Sequence, residues 1–247
     1  MAIIEERGGS SLYQQKKAKK KKKKRIKMAR KLVTVANSNS VVSEQFRTIR
    51  TNITFSMPDK EIKTILVTSA TPGEGKSTNV ANIGVVFAQE GKKIVIVDAD
   101  LRKPTMHYTF LLQNARGLSN LLTRQLTMLE VVNRTDIPNL FVLTSGPIPP
   151  NPAELLASKT LDSVMEELKK EFDIIIFDAP PILSVTDAQI LSNKCDGTLL
   201  IVNSGAVENS SVIKAKASLE SSKATILGVV LNNYKLPRSQ YYEEYYR

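Results

Sequence analysis

The segment Ser69-Ala70-Thr71-Pro72-Gly73-Glu74-Gly75-Lys76-Ser77-Thr78 gathers residue types that bind phosphate. Gly73 and Gly75 permit backbone conformations that turn successive N–H groups toward an anion. Lys76 can reach the outer phosphates of a nucleotide, and the Ser77 hydroxyl can ligate Mg²⁺. A helix starting at about Thr78 would aim its positive end at the same anion. Gly73, Glu74, Gly75, Lys76, Ser77 and Thr78 are therefore the expected nucleotide contacts. The usual pattern opens with glycine, and Ala70 stands there instead. The plain alternative is a glycine-rich turn without ligand. A strand before the loop, a helix after it and two acidic strand ends downstream argue against that.

Those acidic ends are Ile94-Val95-Ile96-Val97-Asp98-Ala99-Asp100-Leu101-Arg102 and Asp173-Ile174-Ile175-Ile176-Phe177-Asp178-Ala179-Pro180-Pro181. Ligands of parallel sheets gather at the carboxyl ends of strands, where the phosphate loop also sits. Three aspartates there repel one another unless they share a cation, and Mg²⁺ suits oxygen ligands. Ser77 and the three aspartates Asp98, Asp100 and Asp178 are the candidate oxygen ligands. Each aspartate could instead cap a following turn. Arg102 could neutralise Asp100 or reach a phosphate. His107 and Cys195, the single histidine and cysteine of the chain, read as structural.

These residues need a scaffold, and the surrounding pattern predicts one. Short apolar runs at Thr64–Thr68, Lys93–Val97, Leu140–Thr144, Asp173–Phe177, Thr198–Val202 and Leu227–Leu231 do not alternate with polar residues. Parallel strands covered on both faces read this way. Helical periodicity occupies Val41 to Phe55, Thr78–Gln89, Ala153–Glu171 and Asn209–Ser221. The expected fold is α/β, a P-loop NTPase-like, mostly parallel twisted sheet with helices on both faces. Asn232, ending the last strand, is the candidate adenine contact.

At 247 residues and 42% apolar content, the chain can build one compact domain. No apolar run approaches the roughly 20 residues of a membrane span. One cysteine excludes a disulfide framework and a multi-thiolate zinc site, and fits a reducing cytoplasm. The net charge of +11 belongs to one end. Residues 1–31 hold 13 Lys/Arg against 2 Asp/Glu, and the other 216 residues hold 22 of each sign. The expected division is a basic arm over residues 1–40, a domain over 41–233 and a tyrosine-rich tail over 234–247. The arm fits a solvated tail, an anionic-lipid contact or a nucleic-acid contact.

With these motifs together, the sequence resembles the bacterial tyrosine kinase family, the P-loop kinases of capsular and exopolysaccharide synthesis, in its Gram-positive cytoplasmic form. The likeness spans about residues 40–247. It rests on Glu44-x-x-Arg47-x-x-Arg50, Ala70–Ser77, Val97–Pro104, Gly146–Leu156, Asp178–Pro181 and the terminal tyrosines. Division and partition ATPases share the fold but carry an extra lysine where Thr71 stands. They supply the alternative reading, an ATPase that positions cargo on membrane or DNA.

The resemblance implies an ATP- and Mg²⁺-dependent protein-tyrosine kinase that autophosphorylates in trans. Lys76, Asp98 and Asp100 would be catalytic, with Asp98 and Asp100 holding metal and helping to deprotonate tyrosine, and Asp178 a metal ligand. A tyrosine hydroxyl has a pKa near 10, so a neighbouring carboxylate helps to expose its oxygen. The acceptors would be Tyr234, Tyr241, Tyr242, Tyr245 and Tyr246. Glu44, Arg47 and Arg50 would form a subunit contact in a ring-like homo-oligomer, although Glu44 and Arg47 also suit an ordinary i,i+3 pair. The implied partners are a separate membrane-spanning activator, a cognate phosphatase and other protein substrates. The implied location is cytoplasmic, at the inner face of the membrane through the activator. That location ranks lipid ahead of nucleic acid for the arm.

Overall fold

The computed structural model describes residues 32–235. The Lys-rich arm through residue 31 and Tyr241, Tyr242, Tyr245 and Tyr246 lie outside the described residues.

The apolar runs become strands. The strands are β1 (Thr64–Ser69), β2 (Ile94–Asp98), β3 (Val132–Arg134), β4 (Leu140–Leu143), β5 (Ile174–Asp178), β6 (Gly197–Asn203) and β7 (Ile226–Asn232). β1, β2 and β5 bury both faces, whereas the last run, expected to be covered on both faces, lies at the sheet edge with Val229 and Leu231 half-exposed. The described residues build one seven-stranded sheet in the order β3-β4-β2-β5-β1-β6-β7. All neighbours are parallel except β3 and β4. Successive side chains of one strand enter two separate cores. Ile174 and Ile176 pack on one side of the sheet and Ile175 and Phe177 on the other. A one-residue slip would exchange the two sets, so the register is strongly specified.

Helices cover both faces. One layer contains α1 (Val33–Ala36), α2 (Val41–Phe55), α3 (Lys76–Gln89) and α4 (Met106–Thr109). The other contains α5 (Leu118–Leu122), α6 (Met128–Val131), α7 (Pro152–Ala157), α8 (Lys159–Glu171), α9 (Asp187–Lys194) and α10 (Asn209–Ser221). Ser40 caps α2, accepting the Ser43 N–H at 3.2 Å, and Pro58 follows its end. The run expected as one helix from Ala153 to Glu171 is two, because Ser158 is extended and starts α8. The edge strand β3 and the short helices α4, α5 and α6 carry no long periodic pattern, and the sequence reading missed them.

The arm does not extend to residue 40 as expected. Thr34 is buried, and its N–H and hydroxyl both donate to Asn82 Oδ1, at 3.1 and 2.8 Å. Gln89 Nε2 donates to the Thr34 carbonyl at 3.3 Å. Leu32, Val33 and Thr34 therefore pack with the body, Thr34 against the helix that follows the phosphate loop, while residues 35–39 are exposed. No helix among the described residues is long and apolar enough to cross a membrane.

Candidate active site

Strand order puts the chemistry in one place. β2, β5 and β1 are adjacent, and Asp98 pairs in register with Asp178. The loop leaving β1 therefore stands beside both carboxylates. Gly73 and Gly75 both have φ of +87°, the left-handed region that the loop reading requires. Gly75 is the N-cap of α3.

Lys76 Nζ lies 3.2 Å from Asp100 Oδ2 and 3.2 Å from Asp178 Oδ1. Burial works against its charge, but Asp178 and Asp100 outweigh it and hold the ammonium above the usual lysine range. The aspartates divide their oxygens between two tasks. Asp98 Oδ2 accepts the N–H groups of Thr105 and Met106 at 3.0 and 2.9 Å, at the start of α4. Asp100 Oδ1 accepts the Lys103 N–H at 2.9 Å. Asp98 and Asp100 thus do cap the turns that follow them, each through one oxygen. Asp98 Oδ1 and Asp178 Oδ2 are buried without a hydrogen-bond partner. Burial and the neighbouring Asp178 push the Asp98 carboxyl up to about 7. Burial also raises Asp178, against the pull of Lys76.

Among the described residues, no three carboxylate, imidazole or thiolate side chains converge as a ready-made metal cage. The two orphaned oxygens and the Ser77 hydroxyl are instead a sparse oxygen set. Mg²⁺ accepts such a set when phosphate oxygens and water complete its shell. The residues present fit that ion.

Two residues that hold the loop, Glu74 and Asn232, do so through contacts that the sequence reading did not find. The buried Glu74 carboxylate accepts the Thr71 N–H at 2.5 Å, the Thr71 hydroxyl at 3.0 Å and the Asn203 N–H at 3.1 Å. The Thr71–Glu74 spacing alone could have hinted at the first two. The Asn232 amide, expected at adenine, donates to the Glu74 carbonyl at 2.8 Å. It braces the loop from the end of β7.

Comparison with known proteins places this geometry. A family model described as an AAA domain matches residues 62–214. The chain is 48% identical to the tyrosine-protein kinase YwqD of Bacillus subtilis, over 89% of this chain and 92% of that protein. It is 42% identical to the putative tyrosine-protein kinase CapB of Staphylococcus aureus, over 89% of this chain and 99% of that one. The crystal structure of the chimerical protein CapA2B2 superposes with a TM-score of 0.81 at 44% identity, covering 83% of this chain and 90% of that one. The chain belongs to the bacterial tyrosine-protein kinases. These matches favour the kinase reading over the division and partition ATPases.

Elsewhere in this kinase the structure separates residues that the sequence grouped. Arg47 pairs with Glu44 and donates to the Ser38 carbonyl at 2.7 Å. Arg50 points into its own protomer, donating to the Val86 carbonyl at 3.1 Å beside Glu90. Arg102 forms its ion pair with Asp187. Its Nε and one Nη donate, each at 3.0 Å, to the two oxygens of buried Asp187. Tyr234 is exposed and lines the groove between α2 and β7, not the cleft containing Lys76 and Asp100. Cys195 is buried, and burial with Asp196 beside it lifts its thiol pKa, as a structural cysteine requires.

Proposed function

We propose that this kinase transfers the γ-phosphoryl group of ATP to tyrosine hydroxyls of its own C-terminal cluster, on a neighbouring copy. The candidate acceptors are Tyr234, Tyr241, Tyr242, Tyr245 and Tyr246. The observation that carries the reading is Lys76 held between Asp100 and Asp178 at the mouth of a glycine loop.

The residues divide the work by depth. The cleft in front of the loop is lined by Lys76, Ser77 and Asp100. Asp98 and Asp178 lie beneath, with no exposed surface. Asp100 is therefore the carboxylate that an incoming tyrosine meets, and it accepts the phenolic proton as the oxygen attacks phosphorus. Lys76 exchanges part of its carboxylate pairing for the outer phosphates of the substrate. The loop N–H groups and the start of α3 hold the remaining phosphate charge. Asp98 Oδ1, Asp178 Oδ2 and the Ser77 hydroxyl would hold Mg²⁺, which supplies charge neutralisation for the transferring group. Catalysis is mainly positioning and electrostatics, and this site provides both.

The wider reading follows the relatives. The kinase would regulate capsular or exopolysaccharide synthesis in a ring-like homo-oligomer. It would work with a separate membrane-spanning activator, a cognate phosphatase and other protein substrates. It would be cytoplasmic, at the inner face of the membrane, with the basic arm touching anionic lipid. The exposed Glu44 and its partner Arg47 suit a subunit contact, while Arg50 supports their helix from within.

Incubation with Mg-ATP and the activator, followed by mass-spectrometric mapping, tests the core of this proposal. Phosphotyrosine among residues 234–246 is the expected result. ATP hydrolysis with an unmodified tail would transfer the site to the cargo-positioning class.

A further inference from the structure

The cleft in front of Lys76 and Asp100 has a volume of 310 Å³. Pro72, Pro180, Pro181 and Val185 give it apolar walls, suited to the face of an aromatic ring. The proline wall is fixed to the end of β1. Thr68 Oγ1 donates to the Pro180 carbonyl at 2.8 Å, and the Ile182 N–H donates to the Ser69 carbonyl at 2.8 Å.

Two cations also line this cleft, and their charges are in different states. Arg102 is matched by the two oxygens of Asp187. Lys103 is held by its backbone next to Asp100, while its side chain is exposed and makes no ion pair among the described residues. Inside the cleft, one ammonium, Lys76, faces the carboxylates of Asp98, Asp100 and Asp178. An acceptor segment carrying negative charge would be repelled from such a site unless a cation stood at its mouth. The chain's own C-terminus is such a segment. It reads Tyr241-Tyr242-Glu243-Glu244-Tyr245-Tyr246, so every one of these tyrosines lies within two residues of a glutamate. Adjacent residues are about 3.8 Å apart at Cα, within the reach of a lysine side chain.

We infer that Lys103 is a specificity-determining residue: it pairs with a carboxylate flanking the acceptor, so the cleft takes tyrosines beside Glu or Asp over tyrosines in neutral or basic sequence. This names the acceptor class of the kinase site and rests on the kinase reading. The same rule extends from the tail of a second copy to any other protein substrate.

The test uses the full chain with Mg-ADP and three fluorescein-labelled peptides. One peptide copies residues 234–247, one replaces Glu243 and Glu244 by Gln, and one replaces them by Lys. Fluorescence anisotropy reads Kd, and parallel incubations with Mg-ATP read phosphotyrosine. The glutamate peptide should bind about tenfold more tightly than the glutamine peptide at low salt, and the gap should close in high salt. Lys103→Glu should reverse the order and favour the lysine peptide, a charge swap that a general loss of folding cannot produce. Equal Kd values for the three peptides, or an order unchanged by Lys103→Glu, would overturn the inference. If phosphotyrosine still forms in that case, the kinase reading survives. Charge-dependent binding without phosphotyrosine on any peptide would remove the kinase reading and the inference with it.

Discussion

Gly73 and Gly75 share a φ of +87°, yet their surroundings differ completely, and that contrast yields a quantitative prediction. A Cβ at Gly73 meets nothing within 4 Å, whereas a Cβ at Gly75 falls 2.3 Å from Asn232 Nδ2. Gly73→Ala therefore introduces only left-handed backbone strain, about 1–2 kcal/mol. Gly75→Ala adds the displacement of the Asn232 amide, which forfeits its 2.8 Å bond to the Glu74 carbonyl. Losing that bond and stranding its acceptor costs about 1–3 kcal/mol more. The extra strain should weaken nucleotide binding by about 5- to 150-fold beyond the Gly73→Ala effect, at 1.4 kcal/mol per tenfold. Calorimetric titration with Mg-ADP reads the affinity, and urea unfolding shows how much of the strain appears in stability instead. A double-mutant cycle isolates the contact. In an Asn232→Ala background the steric part should vanish and the two alanine variants should converge. Equal effects of Gly73→Ala and Gly75→Ala in the wild-type background would refute the assignment of Asn232 as the brace of the loop.

Four further outcomes are expected. Without metal or nucleotide, folded Asp98 holds its proton more tightly than the unfolded chain does, with a pKa of about 7. Its contribution is intact below about pH 4 and is lost as pH rises through 7, by at most about 4 kcal/mol. Urea midpoints should fall between pH 5 and pH 8, and Asp98→Asn should flatten that slope. Asp187→Asn breaks the two-pronged pair with Arg102, whose side chain is 39% exposed. Discounted for solvent, it should lower unfolding stability by about 1–3 kcal/mol in chemical denaturation. Arg50→Ala removes a donor from the last turn of α3 and should cost about 1 kcal/mol in the monomer. Glu44→Ala should leave monomer stability within about 0.5 kcal/mol and weaken the proposed subunit contact, which light scattering would read as a lower mass.

The sequence determined a good deal by itself, because the signals concerned are local. Mostly apolar runs without polar alternation read as strands, so β1, β2, β4, β5, β6 and β7 were legible to within a residue or two, while the edge position that leaves Val229 and Leu231 of β7 half-exposed was not. The phosphate loop was legible because Gly, Lys and Ser act through backbone freedom, charge and a hydroxyl at fixed spacing. The places of Asp98 and Asp178 were legible because each directly ends a run of apolar residues that reads as a strand. The tertiary structure decided which partners these groups take. Glu74 and Asn203 are 129 residues apart, Asn232 and Glu74 158, and Arg102 and Asp187 85. Hydrogen bonds over such separations leave no periodic trace. They arise because the sheet order brings distant strand ends together. For the same reason the chain could not disclose that Arg50 faces inward or that Thr34 is pinned to Asn82. Nor could it disclose that Asp100 alone of the three aspartates opens onto the cleft. Residue type sets which chemistry a side chain can do, and packing sets which of its atoms are left free to do it.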